Sequence, residues 1–561
     1  MAPAAAGRRQ EATFESRNVA DAADDDDDDD HENVAAVVIV VVGDDHKDSY
    51  KVSHWKQYPA GTQYVYSALP QLDACYFESR GCDNDGWNEV VFFGLQYFIK
   101  RYLLGQVVTK EKIDEAAELY SQHFGDGVND NPSLFYREGW EYILSAHGGR
   151  LPVHIKAVPE GTVVPTKTAL FTLVNTDPKC FWLTNFLETL LVQVWYPMTV
   201  CTNSRFQKLS IAKYLEETGN TDWSVPNGTC FKLHDFGFRG VSSVESAAIG
   251  GCAHLVNFLG TDTVAAMICA RDYYGAKKAA GGSIPASEHS TITSWGVEGE
   301  VDAMRNMLES YPEGLVACVS DSFDIWRACR DYWGDKLKDL IKGRRLIQRQ
   351  LCDVLWPLPA MDAEDVTETP TGQRARGTDS EGLTMFMMVR RASAEMRSLL
   401  LALCGSWRQG HKLLPAYIRV IQGDGVDWES IPKILEKLKK EKIAADNIAF
   451  GSGGALLQKL NRDTFKCAFK CAEITINGES RDVFKDPITD KGKAETEDSQ
   501  AGKQHYSSDG KYVTVASGKG DPAKDIMVDV FKDGNLLVDY TLEEIRAKAD
   551  IKNGPFGGGP A

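Results

Sequence analysis

The sequence predicts an α/β protein with a barrel-like domain of parallel strands. Three segments lead to this prediction, because residues 315–326, 416–427 and 447–460 each run from a short apolar strand through a polar loop into a helical pattern. Strands that alternate with helices in this way form parallel sheets, and the loops at their carboxyl ends hold the active sites of such folds. We therefore expect the functional residues to follow these strands.

Composition divides the chain into four parts. Residues 1–33 form a disordered acidic tail, 34–175 the N-terminal α+β part, 176–465 the barrel-like catalytic domain, and 466–561 a C-terminal part. We expect the last part to pack on the N-terminal one, so that together they build an additional, mixed β-rich domain. Residues 343–410 are rich in Pro, Thr and Arg without a clear strand, which indicates either an insertion or an error in the gene model.

Periodicity predicts the local elements outside the three strand–helix units. A helical period marks residues 87–105 and 110–124, and 180–220 is typical of two helices. Alternating apolar and polar residues with Gly and Pro breaks predict β-hairpins over 151–175. Short strands and charged loops follow over 472–545, and a helix is expected near 541–549.

Charge and composition exclude two classes of partner. The 561 residues carry a formal charge of −18, of which residues 1–33 supply −8 through eleven acidic residues against three arginines. The remaining surface is mildly acidic and has no general attraction for nucleic acid or an anionic membrane.

The 13 cysteines include no CxxC pair, and no apolar run is long enough to cross a bilayer. We expect a cytoplasmic protein, with the nucleus as a second location.

Glycines follow the strand-like residues 447–450, in the order Gly451-Ser452-Gly453-Gly454. Glycine lets backbone N–H groups approach an anion closely, and the helix that follows would add the partial positive charge of its first turn. Lys459 and Arg462 lie further along the same predicted helix and could reach that anion or a neighbouring site. A glycine turn taken alone is more often only a turn, so both interpretations stay open.

Two aspartates follow predicted strands, and each has a second interpretation. Asp424, in the string 422–425, would bind a pair of ribose hydroxyls or Mg²⁺, or would only cap a turn. Asp262, in the string 257–263, would accept a hydrogen bond from a carboxamide and repel a carboxylate, or would only stabilise a turn.

An aromatic ring and a cation lie three residues apart in the glycine-rich segment 233–240. Phe236 and Arg239 there would suit a stacking platform beside a phosphate clamp. The DFG string in this segment suggests a protein kinase, but we reject that function because no HRD, kinase glycine loop or APE motif accompanies it. His289, between Glu288 and Ser290, could act as a nucleophile towards phosphate, although a lone histidine is more often structural.

Taken together and in this order, the strings resemble the nicotinamide phosphoribosyltransferase family. The resemblance covers most of residues 48–487 and implies a barrel-like α/β phosphoribosyltransferase domain. It also implies an enzyme that makes nicotinamide mononucleotide and pyrophosphate from nicotinamide and phosphoribosyl pyrophosphate in NAD biosynthesis. Mg²⁺ and ATP, the latter as a coupled co-substrate, are the implied cofactors. The matching strings are 48–59, 94–113, 155–165, 175–197, 233–243, 254–265, 287–296, 319–325, 413–427 and 447–463.

The resemblance implies a role for each matching residue. Phe236 would stack on one face of the nicotinamide ring, and Tyr50 would stack on the other face from the second subunit of a homodimer. Asp262 would accept the carboxamide hydrogen bond, and Asp424 would bind the ribose hydroxyls in catalysis. ATP would phosphorylate His289, with Asp321 beside it. The other substrate-binding residues would hold the amide, the phosphates or the pyrophosphate: Arg80, Arg239, Ser283, Gly423, Gly453, Gly454, Lys459, Arg462 and Lys485.

The sequence departs from the family at three places. The family's Arg-Pro-Asp-Ser-Gly loop is absent, and the nearest stand-ins are Arg376 and Asp379. Acidic residues dilute the basic loop after Lys485, and an insertion precedes Arg80. The metal ligands are not identified by any motif. The missing loop makes a catalytically impaired relative that acts as a dimeric binding protein one alternative. A nicotinate phosphoribosyltransferase, which would share the fold, is the other.

Overall fold

The computed structural model describes a defined part of the chain. The described residues are 48–68, 87–166, 168–219, 226–342, 385–389, 403, 406–415, 417–483, 502–508, 511–516 and 521–551. The predicted acidic tail 1–33 and the site candidates Arg80, Arg376, Asp379 and Lys485 lie outside them.

The strands of the described residues are numbered in chain order. They are β1 Thr62–Ala68, β2 Glu89–Val91, β3 Val153–Ala157, β4 Val163–Pro165, β5 Phe171–Asn175, β6 Leu233–Asp235, β7 Gly260–Thr261, β8 Val316–Val319, β9 Met385–Val389, β10 Ser406–Arg408, β11 His411–Leu413, β12 Ile418–Gln422, β13 Ile448–Ser452, β14 Lys470–Ile476, β15 Glu479–Asp482, β16 Gly502–Ser508, β17 Lys511–Ala516, β18 Val528–Lys532 and β19 Asn535–Leu536.

The α-helices of the described residues are numbered in the same way. They are α1 Leu95–Phe98, α2 Lys110–His123, α3 Arg137–His147, α4 Leu183–Phe186, α5 Glu188–Val192, α6 Trp195–Thr218, α7 Pro226–Thr229, α8 Val244–Leu255, α9 Val264–Tyr274, α10 His289–Thr293, α11 Glu300–Ser310, α12 Ile325–Arg327, α13 Lys338–Lys342, α14 Ser430–Lys440, α15 Gly454–Leu457 and α16 Leu542–Lys548.

Six parallel strands form the sheet that positions the candidate site. They pair in the order β7-β6-β13-β12-β9-β8. The segment 282–286 joins the two outer strands, because Gly260 of β7 bridges to Gly282 and Ala317 of β8 bridges to Ala286, both in parallel. The sheet therefore closes on itself, which confirms the predicted barrel-like α/β fold.

Strand β9 corrects one expectation. The composition of residues 343–410 predicts no strand, and this prediction is wrong, since β9 lies between β12 and β8 in the barrel. Met385 pairs with Ile418 on one side and with Val316 on the other. Residues Met385–Val389 form a continuous apolar run without alternation, and such a short run does not distinguish a buried strand from a helix. Hydrogen bonding to two neighbouring strands, which the local sequence does not reveal, fixes it as a strand.

A second sheet combines strands from the N- and C-terminal parts of the chain. Its order is β15-β14-β1-β5-β3-β18-β19, and all of its described pairings are antiparallel. In β3, Val153, Ile155 and Ala157 are buried while His154 and Lys156 between them are half-buried, as expected for a strand with one face on the core. This sheet is the additional β-rich part that the sequence predicts.

Two helical predictions need correction. Residues 87–105 begin with strand β2, and only then continue as α1 and a π-helix over Ile99–Leu103. The completely apolar run from Val90 to Phe93 is buried, which suits a strand as well as a helix. Residues 180–220 hold three α-helices, α4, α5 and α6, where two were expected. The three strand–loop–helix units, the hairpin strands of 151–175 and the last helix are confirmed.

A buried carboxylate lies between β3 and β4. Glu160 is 2% exposed, and its Oε1 accepts a hydrogen bond from the backbone N–H of Gln96 at 2.6 Å. Burial raises the pKa of Glu160 from 4.5 to about 7. The folded protein therefore holds a proton here between about pH 4.5 and pH 7 that the unfolded chain releases, and stability falls as the pH rises through this window.

We expect Glu160→Gln to remove this component of the pH dependence. The amide stays neutral at every pH and keeps an oxygen that can accept the Gln96 N–H. Between pH 5 and pH 8 the free energy of unfolding should fall by about 2 kcal/mol more in the wild type than in the variant. Urea unfolding at both pH values measures the difference, and an equal fall in the two proteins would refute the assignment.

Among the described residues, no helix combines the length and the apolar character that a membrane crossing requires.

Candidate active site

The carboxyl ends of the barrel strands collect the residues that the sequence nominates. Phe236 directly follows β6, Asp262 directly follows β7, and Gly453 directly follows β13. Asp321 is the second residue after β8, and Asp424 is the second after β12. Because the strands are parallel and the sheet is closed, all five residues belong to the same rim, where barrel enzymes carry their active sites.

The ring of Phe236 lies against the backbone of two glycines. A Cβ atom on Gly451 would lie only 1.9 Å from Cε2 of this ring, and one on Gly423 would lie 3.6 Å from the same atom. The backbone N–H of Phe236 donates to the carbonyl of Ser452 at 2.9 Å, which ties the ring to β13. Residue 451 must therefore be glycine for the half-buried ring to hold this position.

The glycine turn predicted to bind an anion lies between β13 and the single-turn helix α15. Gly453 precedes this helix with φ −90° and ψ −127°. A Cβ atom on Gly240 would lie 2.8 Å from Cα of Gly454, so the loop that carries Phe236 and the exposed Arg239 packs directly on the turn. The structure thus brings the predicted ring, cation and glycine turn together.

A carboxylate and a hydroxyl lie side by side where β7 meets the closing segment. The Ser283 hydroxyl donates a hydrogen bond to Oδ1 of Asp262, and both side chains are exposed. The backbone N–H of Asp262 donates to the carbonyl of Asp235 at 3.0 Å, which fixes the position of this residue beside β6. The pair offers acceptor oxygens and one hydroxyl to a planar amide.

Asp235 is a residue of the site region that the sequence analysis misses. It is fully buried at the end of β6, and its Oδ1 accepts the backbone N–H of Gly237 at 2.7 Å. Burial raises the pKa of Asp235 to about 6. This carboxyl group holds the turn that presents Phe236, and its only sequence signal is its place immediately before that ring.

A histidine and a carboxylate form a second cluster on the rim. Nε2 of His289 lies 3.2 Å from Oδ1 of Asp321. His289 opens helix α10, where Glu288 and Thr291 form a reciprocal cap that fixes the backbone. The histidine side chain is 55% exposed and that of Asp321 only 11%, so a largely buried carboxylate orients an accessible imidazole.

Lys459 and Arg462 lie beyond helix α15, which ends at Leu457, so the prediction that they belong to this helix is wrong. The Nζ of Lys459 lies 2.8 Å from Oδ2 of Asp427, a residue that the sequence analysis does not nominate. The hydrogen bond to Asp427 raises the pKa of Lys459. Partial burial acts to raise the pKa of Asp427, but hydrogen bonds from Lys459 and Ser430 outweigh it and lower that pKa. An anion at Lys459 would have to compete with this carboxylate. Arg462 is exposed to a similar extent, and its guanidinium lies 3.5 Å from the carboxylate of Asp463.

Tyr50 lies away from this cluster in sequence, in the 3₁₀ helix Ser49–Lys56. Its ring is 56% exposed and makes an edge contact with His54, with ring centroids 5.0 Å apart. Because more than half of this ring is exposed, it is accessible to a second chain, and its stacking on the substrate ring in the partner subunit's site stays a prediction.

Comparisons with known proteins identify the family. A family model described as "Nicotinamide phosphoribosyltransferase, N-terminal domain" matches residues 45–155, and the "Nicotinate phosphoribosyltransferase (NAPRTase) family" model matches 231–353 and 373–534. A protein of Xanthomonas campestris pv. campestris named nicotinamide phosphoribosyltransferase is 43% identical over 514 residues, which cover 90% of this chain and 97% of that protein. The chain belongs to the nicotinamide phosphoribosyltransferase family.

A second member of the nicotinamide phosphoribosyltransferase family, from Acinetobacter baylyi, is 31% identical over 510 residues, or 89% of this chain and 95% of that protein. Among solved structures, a nicotinate-nucleotide pyrophosphorylase from Pyrococcus furiosus covers 90% of this chain and 92% of its own, at 14% identity and a TM-score of 0.48. The matched ranges 231–353 and 373–534 contain every described strand of the barrel, so the family match includes the whole rim.

Proposed function

We propose that this chain is an NAD-salvage enzyme that transfers the phosphoribosyl group of phosphoribosyl pyrophosphate to nicotinamide. The products are nicotinamide mononucleotide and pyrophosphate. One observation carries the proposal: the ring of Phe236, fixed by Gly451, lies on the same rim as the Asp262–Ser283 pair. The names of the relatives from Xanthomonas campestris and Acinetobacter baylyi support the same activity.

The rim suits a displacement at the anomeric carbon of the ribose. Stacking on Phe236 and hydrogen bonds at Asp262 would hold the pyridine ring so that its nitrogen faces that carbon, which lowers the entropic cost of attack. The transition state resembles an oxocarbenium ion, and negative charge grows on the departing pyrophosphate. The backbone N–H groups of Gly453 and Gly454 would receive the 5′-phosphate, and Asp424 the ribose hydroxyls.

The oxygen donors of the rim fit Mg²⁺. Asp424 is exposed after β12, and carboxylate oxygens of this kind are the ligands that Mg²⁺ takes together with substrate phosphates. The ion would neutralise charge on the leaving pyrophosphate. Arg239 and Arg462, both exposed, would add positive charge at the phosphates.

The Asp262–Ser283 pair favours a substrate that carries a carboxamide, because the pair itself includes a carboxylate. The amide NH₂ of nicotinamide would donate to Asp262, whereas the carboxylate of nicotinate would be repelled there. A nicotinamide phosphoribosyltransferase is therefore favoured over a nicotinate phosphoribosyltransferase. A competition assay with equal amounts of the two bases distinguishes the two activities.

An assay of the purified chain tests the proposed function. Nicotinamide, phosphoribosyl pyrophosphate and Mg²⁺ should yield nicotinamide mononucleotide, detected by chromatography. The absence of the family's Arg-Pro-Asp-Ser-Gly loop motivates the alternative of a catalytically impaired relative. In its place after a barrel strand, the sequence has two arginines, Arg390 and Arg391, directly after β9. A folded chain that binds nicotinamide in calorimetry but neither binds phosphoribosyl pyrophosphate nor forms product would establish that alternative.

ATP coupling would use His289. Its Nε2 is held by Asp321 while the ring is half exposed, an arrangement that suits transient phosphorylation of the imidazole. We expect His289→Ala to abolish stimulation by ATP and to leave the ATP-independent rate within about threefold of the wild type. Product formation with and without ATP, together with transfer of radioactive γ-phosphate to the protein, measures both effects. Equal stimulation in the wild type and the variant would contradict the role.

A homodimer with shared active sites would explain the exposed ring of Tyr50. We expect Tyr50→Ala and Phe236→Ala each to impair activity strongly. When the two variants are mixed and allowed to exchange subunits, each heterodimer regains one intact site, so activity should return to about a quarter of the wild-type value. A mixture that stays at the level of the separate variants would show that the two rings serve the same subunit's site.

A further inference from the structure

An open aromatic groove is lined by residues to which the rim assigns no role. It has a volume of about 430 Å³ and is lined by Trp87, Phe206, Gln207 and Trp428, with Glu429 and Lys433 among the remaining lining residues. Trp87 precedes β2, Phe206 and Gln207 belong to α6, and Trp428 lies between β12 and α14. Three segments that are distant in sequence thus converge on a feature to which the proposed reaction assigns no role.

Three rings give the groove its aromatic wall. Trp87 stacks on Phe206 with centroids 4.9 Å apart and an interplanar angle of 2°. The ring of Trp428 meets Trp87 edge to face, with centroids 5.0 Å apart and an angle of 64°. All three side chains are half-buried. Phe465 also stacks on Trp87, with centroids 5.6 Å apart and an angle of 23°, so neighbouring rings cover much of Trp87 and Trp428 offers the freer ring to a ligand. A planar ring would stack on Trp428, which suits an aromatic ligand.

A buried amide in the same groove lacks a hydrogen-bond partner. Gln207 is 2% exposed, and its Nε2 donates to Oδ1 of Asn203 at 3.0 Å. Its Oε1 is buried and has no hydrogen-bond partner among the described residues. A buried acceptor is normally satisfied, so the free oxygen of a residue that lines a groove points to a ligand that donates a hydrogen bond there.

The charges at the groove compensate one another. Lys433 and Glu429 approach to 3.7 Å, four residues apart at the start of α14. The groove therefore offers no net charge from this pair to a phosphate or a carboxylate, and a neutral ligand is favoured over an ionic one.

We propose that this groove is a second ligand site, which binds a neutral planar aromatic ring bearing an N–H donor. The donor pairs with Oε1 of Gln207, and the ring packs against Trp87 and Trp428. Nucleobases with an amino group and pyridine carboxamides share this chemistry. Trp428 directly follows Asp427, the partner of Lys459, so an occupant would contact the loop that leads from the rim to α14.

Calorimetry on the full chain tests the site without reliance on the proposed reaction. The probes are adenosine and nicotinamide, each compared with its analogue that carries a dimethylated nitrogen and no N–H donor. The host protein is Phe236→Ala, in which the ring pocket of the rim is disabled. We expect at least one probe to bind this host with a stoichiometry near one per chain, and its dimethylated analogue to bind about tenfold more weakly or worse.

Two further substitutions locate the binding. In the same host, Gln207→Met removes the hydrogen-bond acceptor while it keeps a side chain of similar volume. Trp428→Leu removes one ring of the aromatic wall. Each should weaken binding about tenfold or more, while Lys433→Met, which changes only the compensated charge pair, should leave it unchanged. Binding of adenosine alone assigns a nucleobase site, and binding of nicotinamide alone assigns a pyridine carboxamide site.

The proposal is overturned if neither probe binds the Phe236→Ala host, or if binding is the same in the Gln207→Met and Trp428→Leu variants as in that host. Should Trp428→Leu fail to fold, the Gln207→Met variant and the dimethylated analogues still decide the outcome. Failure of this site leaves the proposed enzyme activity untouched, because that activity is assayed separately by product formation in the wild type.

Discussion

Replacement of Gly451 by alanine should lower kcat/KM for nicotinamide by about a hundredfold or more. The added Cβ would lie 1.9 Å from Cε2 of Phe236, a separation that no pair of non-bonded carbon atoms can keep. The ring must then leave its position over β13, and a displacement of about 1 Å of a group that positions substrate is enough to cost two orders of magnitude in rate. Steady-state kinetics with purified Gly451→Ala measures the loss.

A double-mutant cycle shows whether the loss arises at the ring. In the Phe236→Ala background the clash no longer exists, so Gly451→Ala should add little to the effect of Phe236→Ala alone. Gly423, which the resemblance assigns to substrate binding, is the matched comparison: its Cβ would meet the same ring atom at 3.6 Å, an ordinary contact, so any loss in Gly423→Ala should add fully to that of Phe236→Ala. Fully additive losses for Phe236 and Gly451 would disprove the steric explanation.

The strand–loop–helix units of the barrel could be predicted because their signals are local. An apolar strand that ends in a polar loop is visible within about a dozen residues, as in 416–427 and 447–460. Asp262 and Asp424 follow predicted strands, whereas β6, which precedes Phe236, is not among the strands that the sequence predicts. Parallel pairing then brings the strand ends to one rim without any further information.

Features that depend on distant contacts could not be predicted in this way. The closure through 282–286 and the central position of β9 each require pairing with strands far away in sequence. The ion pair of Lys459 with Asp427 could not be predicted for the same reason, since 32 residues separate the two side chains. The contact of Phe236 with Gly451 likewise exists only once β6 and β13 are neighbours.

The motifs predict which residues belong to the site more reliably than they predict the physical role of each residue. The sequence predicts that the glycines of 451–454 bind an anion, whereas the structure adds a steric role for Gly451 under the ring. Asp235 cannot be recognised from the sequence, because its burial, which raises its pKa to about 6, is not visible in a short string. The aromatic groove cannot be recognised either, because Trp87 and Trp428 come from opposite halves of the sequence.

Asp262→Ala should reverse much of the preference for nicotinamide over nicotinate. The wild-type carboxylate would accept the amide NH₂, and a hydrogen bond to a charged group is worth about 1.5–3 kcal/mol. Its removal should therefore raise KM for nicotinamide by about tenfold to a hundredfold. Nicotinate should lose less, or gain, because the same substitution removes the repulsion between two carboxylates. The ratio of kcat/KM for the two bases is the quantity to measure.

Asp262→Asn separates the hydrogen bond from the charge. The amide keeps an oxygen acceptor but carries no charge, so repulsion of nicotinate is relieved while part of the hydrogen bond to nicotinamide remains. Ser283→Ala is the control for disturbance of the pair, since it removes the donor to Oδ1 and leaves the carboxylate in place. The backbone of residue 262 stays tied to Asp235 in all three variants, so a common loss for both bases would indicate damage to the rim rather than lost recognition. An unchanged ratio in Asp262→Ala would exclude this carboxylate as the group that distinguishes an amide from an acid.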